Sequence, residues 1–232
     1  MKKRIYRING DIYLSSDPHF GHANIIKYCG RPFLCEKDAQ TLKDNNGIWP
    51  DYYRISRKSV EMMDEALISN YNKTVPQDGI LFLLGDFAMP GRDYDYFDRC
   101  RYYRNRLHCK NIYYLFGNHD GAELEELFKF AEVHGQKLYD YIPLAVLNGV
   151  ECAMGHYSSL VYNKSHRGSI AFFGHSHGGI NKWFKENMSG HRSLDVGIDS
   201  AYQILGDYRP FALNECLKIM ENRKGHSLGD HH

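Results

Sequence analysis

Aspartate, histidine and asparagine recur in five short clusters along this chain: Asp17-Pro18-His19, Gly85-Asp86, Gly117-Asn118-His119-Asp120, Gly155-His156 and Gly174-His175-Ser176-His177. Carboxylate, imidazole and neutral amide oxygen are the donors that borderline divalent cations take, and no thiolate belongs to the set. The candidate metal ligands are therefore Asp17, His19, Asp86, Asn118, His156, His175 and His177. Asp17 and His19 stand at alternate positions, as do His175 and His177, so in extended segments each pair would share one face. Asp86 offers two oxygens and could bridge two ions.

Two carboxylates against two divalent cations leave a net positive centre, which attracts a phosphate and acidifies a bridging water. The chemistry expected is phosphoester hydrolysis by attack of that metal-bridging hydroxide, with the leaving oxygen still in need of a proton. His119, beside Asn118, is the candidate general acid, and Asp120 the carboxylate that would orient it.

Such a centre needs elements that deliver all five clusters to one place. Apolar runs alternate with helical patterns as an α/β layered fold requires. Residues 11–16, 80–84 and 112–116 read as strands running into Asp17, Gly85-Asp86 and Gly117-Asn118. Residues 138–147, 150–154, 169–173 and 193–198 are β-prone, and two of these runs lead to a Gly-His pair. Helices are expected over 22–29, from a Ser56 cap to about 71, over 93–106 and over 213–221. Loops at the carboxyl ends of strands are where α/β folds place their chemistry, because the sheet fixes the strand end while the loop chooses the side chain.

Composition narrows the function classes. At 232 residues, with 29 basic and 28 acidic side chains, the chain suits a single domain over residues 1–222 and carries no global field for nucleic acid or an anionic membrane. No stretch approaches the ~20 apolar residues that span a bilayer, and Met1-Lys2-Lys3-Arg4 leads into no signal-type apolar region, so a cytoplasmic protein with no membrane partner is expected. The six cysteines form no C-x-x-C pair. Residues 223–232 read as a flexible tail.

The ordered set D-x-H, GD, GNHD, GH and GHSH resembles the calcineurin-like metallophosphoesterase superfamily. Residues 17–26 (DPHFGHANII) followed by Arg31-Pro32-Phe33 resemble its small single-domain bacterial and phage members, and the likeness runs from about 11 to 213, including Asp195-Val196-Gly197-Ile198-Asp199. It implies a four-layer αββα sandwich holding two divalent ions, manganese first among Mn, Fe, Zn, Ni and Mg. By position the first ion would take Asp17, His19, Asp86 and His177, and the second Asp86, Asn118, His156 and His175. One departure is that Phe87-Ala88-Met89 follows the GD pair where the superfamily's protein phosphatases carry x-x-D-R-G, which disfavours a phosphoprotein substrate.

A phosphomonoester or phosphodiester of a nucleotide or other small molecule is the expected substrate. A nuclease is the first alternative, resting on the basic run Arg99 to Arg106, and a non-catalytic metal-binding scaffold the second. Arg31 and Arg92 are candidate phosphate contacts. His22 would either support a metal ligand through a hydrogen bond or cap the helix that follows. Residues 31–55 show no clear period and read as a long loop lying over the centre as a lid, with Trp49 and Tyr52 stacking a flat part of the substrate.

Overall fold

The computed structural model describes residues 5–91 and 93–223. The strands are β1 (Tyr6–Ile8), β2 (Ile12–Ser15), β3 (Ile80–Leu83), β4 (Asn111–Tyr114), β5 (Ala131–Val133), β6 (Gln136–Leu138), β7 (Tyr141–Leu147), β8 (Val150–Gly155), β9 (Ile170–Phe173), β10 (Ser193–Asp195) and β11 (Phe211–Ala212). The α-helices are α1 (Ala23–Tyr28), α2 (Glu36–Asp44), α3 (Arg57–Thr74), α4 (Tyr96–Arg106), α5 (Asn181–Asn187), α6 (Ile198–Leu205) and α7 (Leu213–Met220). None of the described helices is long and apolar enough to cross a membrane.

The result is a mixed α/β fold with two main sheets. One runs β11-β2-β3-β4, parallel except for β11; the other runs β1-β7-β8-β9-β10, with only the β7–β8 pair antiparallel. β5 and β6 form a small separate hairpin.

The continuous apolar run of β3 is explained by two cores. Phe82 and Leu84 join Ile12 and Leu14 in a cluster with Ile142, Leu147, Met154, Ile170 and Phe172 of the other sheet. Leu81 and Leu83, on the opposite face, pack with Ile25 and Ile26 of α1, Met63, Leu67 and Tyr71 of α3, and Tyr103 of α4. A strand buried on both faces cannot alternate apolar with polar, hence the unbroken run. On the far side of the five-stranded sheet, Phe173 meets Phe184 of α5.

Because β2, β3 and β4 are parallel, Asp17, Asp86 and Asn118 follow strands that end at one edge; the same holds for β8, β9 and β10 and the residues after them. A parallel bridge between Ser16 and Gly197 joins the two edges, and the His175 N–H donates to Asp17 Oδ2 at 2.9 Å across the seam.

Several expectations need correction. Residues 31–55 are not one long loop, because α2 occupies Glu36–Asp44. Its buried residue is the carboxylate Asp38, so a search for apolar periodicity passes over it. Asp38 accepts from Ser56 N–H, Ser56 Oγ, Ser59 Oγ and Tyr53 OH, fastening the segment to the start of α3. Ser56 stands at the N-cap of α3, but its hydroxyl serves Asp38 rather than the helix. Residues 193–198 are not all strand either: β10 stops at Asp195, and α6 starts at Ile198 and closes on Gly206 in the left-handed conformation. The strands β1, β5, β6 and β11 and the short helix α5 are too brief to leave a clear pattern in the sequence. Of the tail, residues 224–232 lie outside the described residues.

Candidate metal centre

The candidate ligands converge as two groups around one carboxylate. Asp17, His19 and His177 bring donor atoms within 4.8 Å of one another, and so do Asp86, His156 and His175. Asp86 Oδ2 lies 3.5 Å from His19 Nε2 and 3.6 Å from His156 Nε2, midway between the groups. Its other oxygen accepts the His119 N–H at 3.0 Å, which fixes the carboxylate in that pose. Asn118 Oδ1 is 3.0 Å from His156 Nε2, which places it in the second group.

The donors fit cations better than they fit one another. Buried polar atoms are normally hydrogen-bonded. Among the described residues, Asp17 Oδ1, both ring nitrogens of His19 and Nδ1 of His22 are buried without a hydrogen-bond partner, and the other such atoms are arginine Nε groups. His156 makes the same point through its tautomer. Leu84 O can only accept, so Nδ1, 2.8 Å away, carries the proton, and the Nε2 lone pair faces Asp86 Oδ2 and Asn118 Oδ1. Three acceptors turned toward one another are held apart by repulsion unless positive charge lies between them.

The backbone is strained at these positions. Among the described residues, five of the nine non-glycine residues with positive φ are Asp17, His19, Asp86, His175 and His177, with φ between 48° and 64°. Left-handed backbone costs an L-residue roughly 1–2 kcal/mol, and strain of this kind concentrates at functional sites. It also corrects the reading of extended D-x-H and H-x-H segments: the chain turns at each ligand, and His175 and His177 go to different groups rather than to one face. The neighbouring glycines leave room for the ligands. A Cβ on Gly117 would lie 2.2 Å from Asp86 Oδ1, and one on Gly174 would lie 2.4 Å from Asp17 Oδ2.

Electrostatics reflect the same crowding. Burial pushes the Asp17 carboxyl up, and burial together with the Arg31 charge drives the His19 ring down to about 2. Burial works against a charged His177, yet the hydrogen bond from its Nδ1 to Asp199 Oδ2 at 2.7 Å, together with a bond to Cys29 and the Asp17 charge, outweighs it and lifts the ring to about 10. A cation taking His177 would have to compete with a proton, which would make any uptake there depend on pH.

Behind the first group stands a support that the sequence reading assigned differently. Arg31 is 1% exposed; its guanidinium pairs with both Asp199 oxygens at 2.9 and 2.8 Å and donates to the carbonyls of Asp17 and Pro18. It is therefore not a phosphate contact but a strut, and Asp199 passes its hold to His177 in a carboxylate–histidine arrangement typical of metal sites. Asp195 clamps the neighbouring loop, accepting from Ser176 Oγ and the N–H groups of Gly178 and Gly197. The D-V-G-I-D segment was the available signal for both aspartates.

Asp120 also has a different task from the one expected. Its oxygens accept from the N–H groups of Asp86, Phe87 and Gly117 and from Tyr114 OH, tying two ligand loops together instead of orienting the His119 ring. His119 itself is exposed, its ring centroid 5.9 Å from that of His19. His22 makes no cap bond; its ring stands 5.4 Å from that of His19, and burial lowers it to about 4. Trp49 stacks on Tyr53 at 5.4 Å, and Tyr52 is 86% exposed. The segment carrying them is held against α1, α3 and Tyr208, and beyond Arg31 none of its described hydrogen bonds reaches a candidate ligand. Arg92 lies outside the described residues.

No protein-family model matches the sequence. The uncharacterized protein MJ1445 of Methanocaldococcus jannaschii is similar, 27% identical over 215 residues that span 92% of this chain and 93% of that one. The crystal structure of the protein of unknown function AQ665 from Aquifex aeolicus is similar in fold, with a TM-score of 0.53 and 17% identity over 91% of this chain and 100% of that one.

Proposed function

We propose that this chain is a dinuclear-metal phosphohydrolase of the calcineurin-like metallophosphoesterase type, built as a four-layer αββα sandwich and acting on a phosphoester of a nucleotide or other small molecule. The observation that carries this reading is Asp86 Oδ2, set 3.5 and 3.6 Å from imidazole nitrogens of two separate donor groups. Asp17, His19 and His177 with Asp86 would hold one cation, and Asn118, His156 and His175 with the same Asp86 a second. Manganese suits these donors, as do Fe, Zn, Ni and Mg. Bound there, a pair of divalent ions supplies positive charge for a phosphoryl group and acidifies a water.

The chain's own residues supply the remainder. His119, exposed and anchored by its N–H to Asp86, would give a proton to a departing oxygen. Asp120 and Tyr114 hold the Asp86 and Gly117 loops in register, so the donor atoms need little rearrangement. The basic run of α4 lends little support to a nuclease: Arg106 pairs with Glu65, Arg101 with Asp98, and Arg99 lies among the rings of Tyr94, Tyr102 and Tyr103.

The test is hydrolysis of p-nitrophenyl phosphate and bis-p-nitrophenyl phosphate by chelator-stripped protein before and after Mn²⁺ addition, with His119→Ala in parallel. Turnover restored by the metal in the wild type and absent from the variant is expected. Equal turnover by both proteins would mean a contaminant or a wrong role for His119.

A further inference from the structure

A cavity of about 370 Å³ opens directly beside Asn118 and His156, within the range of small-molecule sites. Phe116, Tyr141 and Tyr157 wall it; among the described residues its one carboxylate is Asp140, and neither lysine nor arginine lines it. The walls come from both sheets. Phe116 follows β4 and is backed by Phe130 and Tyr139, with ring centroids 5.5 and 6.0 Å away. Tyr141 faces Gly155 across the β7–β8 pair, and a Cβ on that glycine would come within 2.9 Å of the ring. Tyr157 rests on two candidate ligands, 5.2 Å from the His156 ring and 4.6 Å from that of His175, yet remains 59% exposed. A large aromatic ring so exposed, resting on two candidate ligands at the edge of the centre, offers a face to something flat.

We infer that this cavity receives the nucleobase of a nucleoside phosphoester, stacked on Tyr157 with a ring N–H donated to Asp140, while the phosphate lies at the metal centre. The inference rests on the phosphohydrolase reading and names its substrate class. A second phosphate is disfavoured because the only formal charge among the described lining residues is negative. A purely aliphatic group would leave the aromatic walls without a stacking partner, whereas any base presents a π-face.

The experiment compares thymidine 5′-(p-nitrophenyl phosphate) with methyl p-nitrophenyl phosphate, which share the leaving group and differ only in the nucleoside. The Mn²⁺-loaded wild type should favour the thymidine ester by about tenfold in kcat/KM, Tyr157→Ala should lose that preference, and Tyr157→Phe should keep it. A preference that survives in Tyr157→Ala, or is missing from the wild type, would overturn the inference. Calorimetric binding of thymidine 5′-monophosphate needs no turnover and separates the two claims. A Kd weakened about tenfold in Tyr157→Ala alone supports the nucleobase site even if neither ester is cleaved, in which case only the hydrolase reading falls. A Kd equal in all three proteins overturns the nucleobase site whatever the turnover.

Discussion

The two halves of the candidate metal centre differ in how they are held. The half formed by Asp17, His19 and His177 is closed: Asp17 and His19 are buried, and Arg31 and Asp199 brace it from within. The half formed by Asn118, His156 and His175 is open: Asn118, His175 and His119 are exposed, and the aromatic cavity adjoins it. Buried charge is tolerable only when paired and hydrogen-bonded, so the closed half carries a salt bridge that the open half does not need. What the open half gains is access. On the proposed reading, a cation in the closed half would be positioned by the core, whereas one in the open half would be open to a substrate.

The comparison can be broken at several points. The largest effect is expected from Asp86→Asn, which removes the carboxylate both halves share. Metal content measured by mass spectrometry should fall below two ions per chain and turnover should drop to background; two retained ions would show that Asp86 is not the bridge. His119→Ala removes none of the seven candidate ligands. Both ions should stay while kcat falls by about 10²–10⁴-fold, and a variant that arrives without metal would mean that His119 is a ligand.

Bracing of the closed half is tested by Asp199→Asn, expected to weaken binding of the first cation by about 10–100-fold. Arg31→Met leaves Asp199 buried beside His177 without its main counter-charge and should cost about 3–5 kcal/mol in urea unfolding of the stripped protein. An Arg31→Met variant of wild-type stability would remove the strut argument.

The smallest effect is expected away from both halves, at Asp38. Burial raises this carboxyl, but hydrogen bonds from Ser59, Tyr53 and Ser56 outweigh that and hold it below the ordinary range. A depressed carboxyl stabilises the fold above its unfolded pKa of about 4 and loses that contribution as pH falls through the folded value. Asp38→Asn should therefore lower stability by about 1–3 kcal/mol at pH 7, and by less at pH 3, while leaving metal content intact. An equal loss at both pH values would show that the charge is not what anchors the segment.

How much of this was readable in advance follows from the kind of interaction involved. The seven candidate ligands stood out because their types and their places after apolar runs are local properties of the sequence. The strands β2, β3 and β4 were readable for the same reason. Arg31 was misassigned because its partner Asp199 lies 168 residues away. Asp120 was misassigned because a carboxylate next to a histidine looks like its orienter until backbone N–H groups on other loops are seen to claim it. Helix α2 escaped because its buried contact is polar, and the left-handed turns at the ligands escaped because single-residue φ values leave no periodic trace. The open cavity combines Phe116, Tyr141 and Tyr157 from three separate stretches, which only the packing of the two sheets brings together.

The central claim is that one carboxylate joins two cations. The most direct measurement is electron paramagnetic resonance during titration of stripped protein with Mn²⁺. Two equivalents per chain are predicted, with a spin-coupled spectrum emerging as the second binds and absent from Asp86→Asn. Binding of a single equivalent, or of two that remain uncoupled, would contradict a centre built around Asp86.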